Sequence, residues 1–187
     1  RLTSWDADER EPSFSPDGSQ IVFRAEKDGG ALYTMAVLGG EPRLLVRGGR
    51  TPRWSPDGKR IAFWTGGRLT GAATSKVLVI PAGGGQPVDV SANPSGYNSR
   101  PLWSPDGSHL LMASANASRA AGGAFVVESS GAGVPRRIDR TPGGAGGGWT
   151  WWKNRLVVSQ GGRLVGYSLS PGDWTVAGAG AALTGGL

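Results

Sequence analysis

Short apolar runs recur along the chain, and each follows a phrase of turn-forming residues. The runs are Ile21–Phe23, Ile61–Phe63 and Leu110–Met112. Each comes after Ser-Pro-Asp-Gly and two further residues, and an aromatic residue stands directly before that phrase. Another segment, Leu32–Val37, alternates between apolar and polar residues with the period of two that is typical of a half-buried strand. The pattern predicts an all-β chain of many short strands joined by tight turns.

The phrase is an internal repeat. The three copies have a proline two residues ahead of the aromatic, at Pro12, Pro52 and Pro101, and these prolines are 40 and 49 residues apart. A self-similar period of that size predicts a repeat architecture. The signature positions that we assign to turn formation and packing are Phe14, Pro16, Asp17, Gly18, Trp54, Pro56, Asp57, Gly58, Trp103, Pro105, Asp106 and Gly107.

Each residue of the phrase suits a hairpin turn. Proline presets φ for the second turn position, aspartate suits the third, and glycine takes the left-handed conformation that closes the loop. The aspartate carboxylate is expected to accept hydrogen bonds from nearby backbone N–H groups. The aromatic residue is best interpreted as a packing residue between successive units, because all three copies place one there.

The full motif, Pro-x-aromatic-Ser-Pro-Asp-Gly-x-x-apolar-x-aromatic, resembles the WD40-like (PD40, or TolB-type) β-propeller repeat. With a degenerate fourth unit, the resemblance extends over nearly the whole chain. It implies a β-propeller of about four blades, each a four-stranded antiparallel sheet, with the innermost strands lining a central channel. We expect a single array over residues 1–187, with blades at approximately 4–46, 47–91, 92–140 and 141–187.

The first three units each predict four strands. In the fourth, Trp149–Trp152 takes the place of the innermost strand, Lys153-Asn154 replaces the turn phrase, and Trp151 or Trp152 is expected at the aromatic packing position. The predicted strands are Ser13–Ser15, Gln20–Arg24, Leu32–Val37, Pro42–Val46, Arg53–Ser55, Arg60–Thr65, Lys76–Ile80, Val88–Ser91, Leu102–Ser104, His109–Ala113, Ala124–Glu128, Arg136–Asp139, Trp149–Trp152, Arg155–Val158, Arg163–Ser168 and a final strand reaching Ala182–Thr184.

The two ends of the chain carry similar sequences. Arg1-Leu2-Thr3 matches Ala182-Leu183-Thr184 and predicts the tail of an outer strand, cut at the same phase of the repeat. Since the sequence has neither an initiator methionine nor a signal peptide, we expect a processed product or part of a longer chain.

The amino-acid composition limits the classes of function that can be expected of the chain. The chain contains 33 glycines and 13 prolines in 187 residues, placed between apolar runs as turns are. Twenty basic and 14 acidic residues give a net charge of +6, but no basic run occurs, so no nucleic acid is expected as a partner. No apolar stretch approaches the length of a membrane span, so no membrane contact is expected. The absence of cysteine excludes disulfides and thiolate metal sites.

No catalytic constellation is found in the sequence. The one histidine, His109, aligns with Gln20 and Arg60, so we interpret its position as a surface position that accepts any polar residue. No serine stands in Gly-x-Ser-x-Gly, and Gly83–Gly85 lacks the lysine of a phosphate loop. Carboxylates show no metal-ligand spacing. We therefore expect no enzyme activity, no metal and no cofactor.

A binding face is the remaining candidate site. In a propeller, the connections that enter the innermost strands share one face at the channel mouth, and such connections often carry function. The loops 25–31, 66–75, 114–123 and 160–162 are expected on the same face. The alternative is that these segments are only solvated loops. The candidate binding residues are Glu9, Arg10, Glu11, Arg50, Tyr97, Asn98, Arg100 and Trp149.

The resemblance favours a non-catalytic binding or scaffold module with a protein or peptide partner. Relatives of the repeat occur in periplasmic and other extracytoplasmic bacterial proteins, which implies that location here. A second hypothesis is an accessory, gating propeller of a serine peptidase whose catalytic domain is absent. A third is self-assembly, in which two four-blade chains form an eight-blade ring.

Overall fold

The computed structural model describes residues 3–66, 74–116, 122–138, 148–152, 155–160, 162–170, 174 and 176–182. The elements found there are almost entirely strands, which confirms the predicted all-β class. The strands, in chain order, are β1 Glu9–Phe14, β2 Gln20–Ala25, β3 Ala31–Ala36, β4 Arg43–Arg47, β5 Arg50–Trp54, β6 Arg60–Gly66, β7 Ser75–Pro81, β8 Val88–Asp89, β9 Tyr97–Trp103, β10 His109–Ala115, β11 Gly122–Glu128, β12 Arg136–Ile138, β13 Trp149–Trp152, β14 Arg155–Gln160, β15 Arg163–Leu169 and β16 Val176–Ala182. A 3₁₀ helix, Lys27–Gly29, follows β2.

The strands pair as antiparallel blades in sequence order. Blade 1 is β1–β4 and blade 4 is β13–β16, each a separate four-stranded sheet. Blades 2 (β5–β8) and 3 (β9–β12) are joined into one sheet by a parallel pairing between Ser75 of β7 and Tyr97 of β9. The prediction of blades with four antiparallel strands is confirmed, and this one parallel pairing joins the entry of β9 to the start of β7. The predicted boundaries between blades remain predictions.

The apolar core lies between successive blades. One cluster joins blades 1 and 2 through Leu32 and Phe63, and another joins blades 2 and 3 through Val79 and Met112. A third joins blades 3 and 4 and includes Leu111. Each sheet thus buries its apolar side chains against its neighbours, which is why the runs after each turn are so regular.

The aromatic residue before each turn packs between blades only where a preceding blade exists. Trp54 and Trp103 are 8% and 4% exposed, and each indole N–H donates to a carbonyl of the preceding blade, that of Ser13 at 3.1 Å and that of Arg53 at 2.9 Å. Phe14, at the same repeat position in blade 1, is 58% exposed. The prediction that Phe14 is a buried packing residue is wrong, because no blade in the part of the chain that the structure describes covers that side of blade 1.

The Ser-Pro-Asp-Gly turns are three copies of one hydrogen-bonded unit. In each, the glycine N–H donates to the serine carbonyl at 2.9 Å, and the glycine has φ of 71°, 69° or 71°. The serine hydroxyl donates to the aspartate carboxylate and accepts the N–H of the residue five positions later at 2.9 Å. The aspartate also accepts the backbone N–H two residues later at 3.0 Å. The predicted turn chemistry is confirmed, and the serine hydroxyl adds a second set of hydrogen bonds across the turn.

These hydrogen bonds favour ionised carboxylates. The Ser15 hydroxyl and the Ser19 N–H lower the pKa of Asp17 from 3.8 to about 2. The pKa of Asp57 is lowered chiefly by the Ser55 hydroxyl. For Asp106, burial raises the pKa, but hydrogen bonds from serine outweigh it and the net shift is downward.

Stability should therefore fall in acid. A carboxyl group whose pKa is lower in the folded state stabilises the fold above its unfolded pKa, near 3.8, and the contribution is lost as pH falls through the folded pKa, about 2 for Asp17. We expect the melting temperature to decrease between about pH 4 and pH 2. The triple variant Asp17→Asn, Asp57→Asn, Asp106→Asn should show a weaker dependence in that window. An equally steep decrease in the variant would contradict this assignment.

The fourth blade departs from the repeat at its innermost strand. Trp151 pairs with Leu156 as Trp54 pairs with Ile61, so Trp151 occupies the aromatic packing position, as predicted. It packs against the cluster between blades 3 and 4, but its buried Nε1 has no hydrogen-bond partner in the part of the chain that the structure describes. The predicted turn at 153–154 lies outside the described residues.

The N-terminal segment covers part of blade 1. Thr3 is not in a strand, contrary to the prediction, and residues 1–2 and 183–184 lie outside the described residues. Trp5 packs edge-on against Tyr33, with ring centroids 4.7 Å apart, and the Lys27 ammonium lies 4.3 Å from the Trp5 ring centroid. Among the described residues, no helix has the length and apolar character needed to cross a membrane.

Candidate binding cleft

The innermost strands of blades 1 to 3 share a bulge at the same repeat position. Glu11, Thr51 and Arg100, each directly before a proline, have φ of 56°, 46° and 56°. The strand register shifts there in β1, β5 and β9. A side chain larger than glycine is strained at positive φ, and strained residues of this kind often cluster at functional sites. β13 pairs with β14 without a bulge, so blade 4 differs at this level.

The candidate binding residues lie in strands, not in connecting loops. Glu9, Arg10 and Glu11 belong to β1, and Arg50 begins β5. The Arg10 guanidinium, which is exposed, pairs with Asp8. The Glu11 carboxylate accepts the backbone N–H of Thr51 at 2.7 Å, so it bonds blade 1 to the bulge of blade 2. These contacts make Glu11 a link between blades.

Asn98 does not lie on an exposed face. It is 0% exposed, and all four hydrogen-bonding positions of its amide are occupied. The amide nitrogen donates to the carbonyls of Ser75 and Asn93 at 2.9 and 2.6 Å, and the amide oxygen accepts from the Asn93 N–H and the Ser114 hydroxyl. The prediction of Asn98 as a surface binding residue is therefore wrong. Its amide holds the entry to blade 3 instead.

An ion pair between buried Arg24 and exposed Glu26 lies at the edge of blade 1 that leads into blade 2. Arg24 pairs with the Glu26 carboxylate through two bonds of 2.7 and 2.8 Å and donates to the Gly49 carbonyl at 2.6 Å. The Arg24 hydrogen bonds lower the pKa of Glu26, although burial acts in the opposite direction. Gly30 must be glycine, since it has φ of 90° and a Cβ would lie 2.3 Å from Arg24 Nη2. Arg50 Nε is buried without a hydrogen-bond partner among the described residues.

A cleft of about 580 Å³ opens between the innermost strands of blades 2, 3 and 4. β5 and β6 contribute Arg53 and Trp64, and β9 contributes Arg100. The volume lies within the range of sites that bind small ligands or short segments. The described residues that line it are Thr51, Arg53, Trp64, Ser99, Arg100, Pro101, Leu102, Gly148 and Trp149.

Two of the eight predicted residues, Arg100 and Trp149, come together in this cleft. The Trp149 indole donates to the Arg100 carbonyl at 3.3 Å, which links blade 4 to the bulge of blade 3. Tyr97 is half-buried at the pairing with Ser75. Glu9, Arg10, Glu11, Arg50 and Asn98 do not line the cleft. The loop residues 67–73, 117–121 and 161 lie outside the described residues.

Sequence reasoning missed Arg53 and Trp64. A usable signal is present: Arg53 takes the place of Ser13 and Leu102, and Trp64 the place of Arg24 and Ala113. Residues that serve the shared fold are similar among repeats, whereas these positions change in size and charge from one repeat to the next. Variation at inward-facing positions therefore marks the cleft better than the connections do.

The comparison of repeats also gave a wrong prediction for His109. It is half-buried, its ring centroid lies 5.6 Å from that of Trp174, and its Nδ1 is 2.7 Å from the Ser108 hydroxyl. The equivalent Arg60 lies over the Trp103 ring at 4.8 Å and donates to the Gly107 carbonyl and the Ser129 hydroxyl. The interpretation as a surface position is wrong for both, since each side chain packs against the next blade.

The described residues of the cleft carry cationic, hydroxyl and apolar groups. Its side chains supply guanidinium and hydroxyl groups and indole and aliphatic surfaces, and the described lining residues include no carboxylate or imidazole. Among the described residues, no three histidine, aspartate or glutamate side chains form a metal-binding group.

Comparison with known proteins gives related folds and one distant relative. No family model matches the chain. An uncharacterized peptidase of Bacillus subtilis, YuxL, is 32% identical over 112 residues, which are 54% of this chain and 16% of that protein. A putative TolB from Agrobacterium tumefaciens superposes with a TM-score of 0.67 at 19% identity, covering 94% of this chain and 62% of that one.

A puromycin-hydrolyzing peptidase of Mycobacterium tuberculosis superposes with a TM-score of 0.68 at 20% identity. The match covers 91% of this chain and 29% of the peptidase. The chain therefore spans less than two thirds of each of these three proteins. At such identities the structural likeness shows the fold. Together with the three turn units and the blade topology, it shows that the chain has the β-propeller fold, similar to that of TolB and of the propeller domains of peptidases.

Proposed function

We propose that this chain is a non-catalytic interaction module that binds a segment of another protein in the cleft between blades 2, 3 and 4. The observation that supports this most is the cleft itself, to which three blades contribute side chains. Two guanidinium groups and two indoles converge there, and arginine and tryptophan are the side chains that most often dominate binding energy at protein interfaces.

The rigid frame around the cleft favours binding over catalysis. The backbone carbonyl of Arg53 accepts the Trp103 indole N–H, and the Trp64 indole donates to the Thr51 hydroxyl at 3.1 Å. Side chains held in this way lose little freedom when a partner binds. An extracytoplasmic location is part of the proposal and rests on the resemblance to TolB-type propellers alone.

Selection of short peptides from a displayed random library would test this function. We expect selected peptides to perturb the indole N–H resonances of Trp64 and Trp149, and the double variant Trp64→Ala, Trp149→Ala to bind at least tenfold more weakly. Trp5→Ala is the matched control, since Trp5 lies on the far side of blade 1. Peptides that bind the double variant as tightly as the wild-type chain would overturn the proposal.

A second candidate is a gating propeller of a serine peptidase. It is favoured by the match to YuxL and by the likeness to the puromycin-hydrolyzing peptidase, in which this chain corresponds to 29% of the length. A peptidase domain further along the same gene would support it, and a gene without one would exclude it.

Self-assembly is a third candidate, favoured by two exposed apolar side chains at the ends of the array. Phe14 in blade 1 and Leu164 in blade 4 are 58% and 53% exposed, whereas their counterparts Trp103 and Leu32 are buried. A mass in solution of twice 19.3 kDa, reduced to the monomer by Phe14→Asp, would support this function.

A further inference from the structure

Arg53 has hydrogen-bond donors that could serve a ligand. A guanidinium carries five N–H donors and no acceptor. The hydrogen bond of the Arg53 guanidinium found among the described residues goes to the neighbouring Pro52 carbonyl at 3.1 Å. No ion pair of Arg53 occurs among those residues. The half-buried Arg53 guanidinium can therefore donate to acceptors of a ligand in the cleft.

The charge of the cleft is positive. Its described lining residues include two arginines and no acidic residue. The nearby carboxylate, that of Glu11, is held on the Thr51 N–H at 2.7 Å and 3.4 Å from the Thr51 hydroxyl. Because Glu11 is bonded to the backbone of the bulge, its charge offsets part of the cationic field and still leaves the Arg53 donors to a ligand.

The walls beside these donors are apolar. Trp64 and Trp149 present indole surfaces, and both indole N–H groups already have acceptors, the Thr51 hydroxyl and the Arg100 carbonyl. Pro101 and Leu102 complete the wall. A matching ligand therefore combines an anion with an adjacent aromatic or aliphatic group.

We propose that the cleft recognises a carboxylate next to an apolar residue in an extended peptide segment, with Arg53 as the residue that selects the carboxylate. This inference rests on the proposed function and specifies its ligand. Carboxylate and guanidinium groups match as paired acceptors and donors. The carboxylate comes either from an aspartate or glutamate side chain or from the C-terminus of the segment.

Three peptides separate these two sources. Acetyl-Gly-Phe-Glu-Gly-amide carries a side-chain carboxylate, acetyl-Gly-Phe-Gln-Gly with a free C-terminus carries a terminal one, and acetyl-Gly-Phe-Gln-Gly-amide is neutral. Titration of the 187-residue chain is followed by the indole N–H resonances of its eight tryptophans. We expect at least one of the charged peptides to bind about tenfold or more tightly than the neutral peptide. The preference should shrink as salt is raised, since the arginines are not fully buried.

Variants then assign the preference to Arg53. Arg53→Gln should remove it, while Arg136→Gln, which makes the same charge change on the exposed outer strand β12, should retain it. Equal binding of all three peptides at Trp64 and Trp149 would overturn the carboxylate preference and leave the proposed function standing. A preference that survives Arg53→Gln would overturn the role of Arg53. No perturbation of Trp64 or Trp149 by any peptide would overturn the inference, and the library selection then decides the proposed function independently.

Discussion

Replacing Trp103 by alanine is expected to lower the free energy of unfolding by about 3–5 kcal/mol. Trp103 is 4% exposed in the core between blades 2 and 3. The substitution leaves a cavity and removes the aromatic ring over which the Arg60 guanidinium lies. It also leaves the Arg53 carbonyl without the indole N–H that donates to it. Urea denaturation followed by far-ultraviolet circular dichroism would measure the change.

Phe14→Ala is the matched control at the same repeat position. Because Phe14 is 58% exposed, its removal should cost less than about 1 kcal/mol. Trp103→Phe should lie between the two, since it retains most of the packing and loses the indole hydrogen bond. Equal costs for Trp103→Ala and Phe14→Ala would contradict the difference in packing. A cost for Phe14→Ala that grows with protein concentration would instead indicate a second copy on that face.

Asn98→Ala is expected to destabilise the chain by roughly 3 kcal/mol. A buried polar group that loses its hydrogen-bond partner remains desolvated, and no hydrogen bond then compensates for that cost. The substitution leaves the carbonyls of Ser75 and Asn93 and the hydroxyl of Ser114 without the amide. Chemical denaturation measures the loss directly. Ser95→Ala, an exposed change in the same connection, should alter stability by less than about 0.5 kcal/mol.

The same variant separates a structural from a binding role. Asn98 lies outside the cleft, so the folded fraction of Asn98→Ala should bind cleft ligands with unchanged affinity. A variant that is as stable as the wild-type chain but binds more weakly would contradict the purely structural role of Asn98.

Much of the fold could be predicted because its determinants are local. Proline, aspartate and glycine impose the turns through φ preferences and hydrogen bonds within six residues, and the apolar runs mark the strands beside them. The hydrogen bonds of the turn serines are equally local, because the hydroxyls of Ser15, Ser55 and Ser104 each accept a backbone N–H five residues later. Three copies in phase make these signals stronger than any single copy.

The candidate cleft could be predicted only in part, because the position of a residue in its repeat does not reveal which other blades lie next to it. Arg100 and Trp149 were identified, while Arg53 and Trp64 were not. Asn98 and Arg100 are two residues apart in one strand, yet the first is buried in a polar network and the second lines the cleft. Arg100 lies in the bulge that shifts the strand register between Ser99 and Leu102, and a regular alternation of faces does not anticipate that shift.

The sequence by itself determined the repeat, the turns, the all-β class and the aromatic packing positions, since these follow from interactions between residues close together in the chain. Only the tertiary structure decided which of those positions are buried. Trp54, Trp103 and Phe14 are equivalent in sequence, but burial needs an adjacent blade, and blade 1 has none on that side. The cleft likewise exists only where three innermost strands meet, because its cationic and aromatic side chains come from segments up to about 100 residues apart.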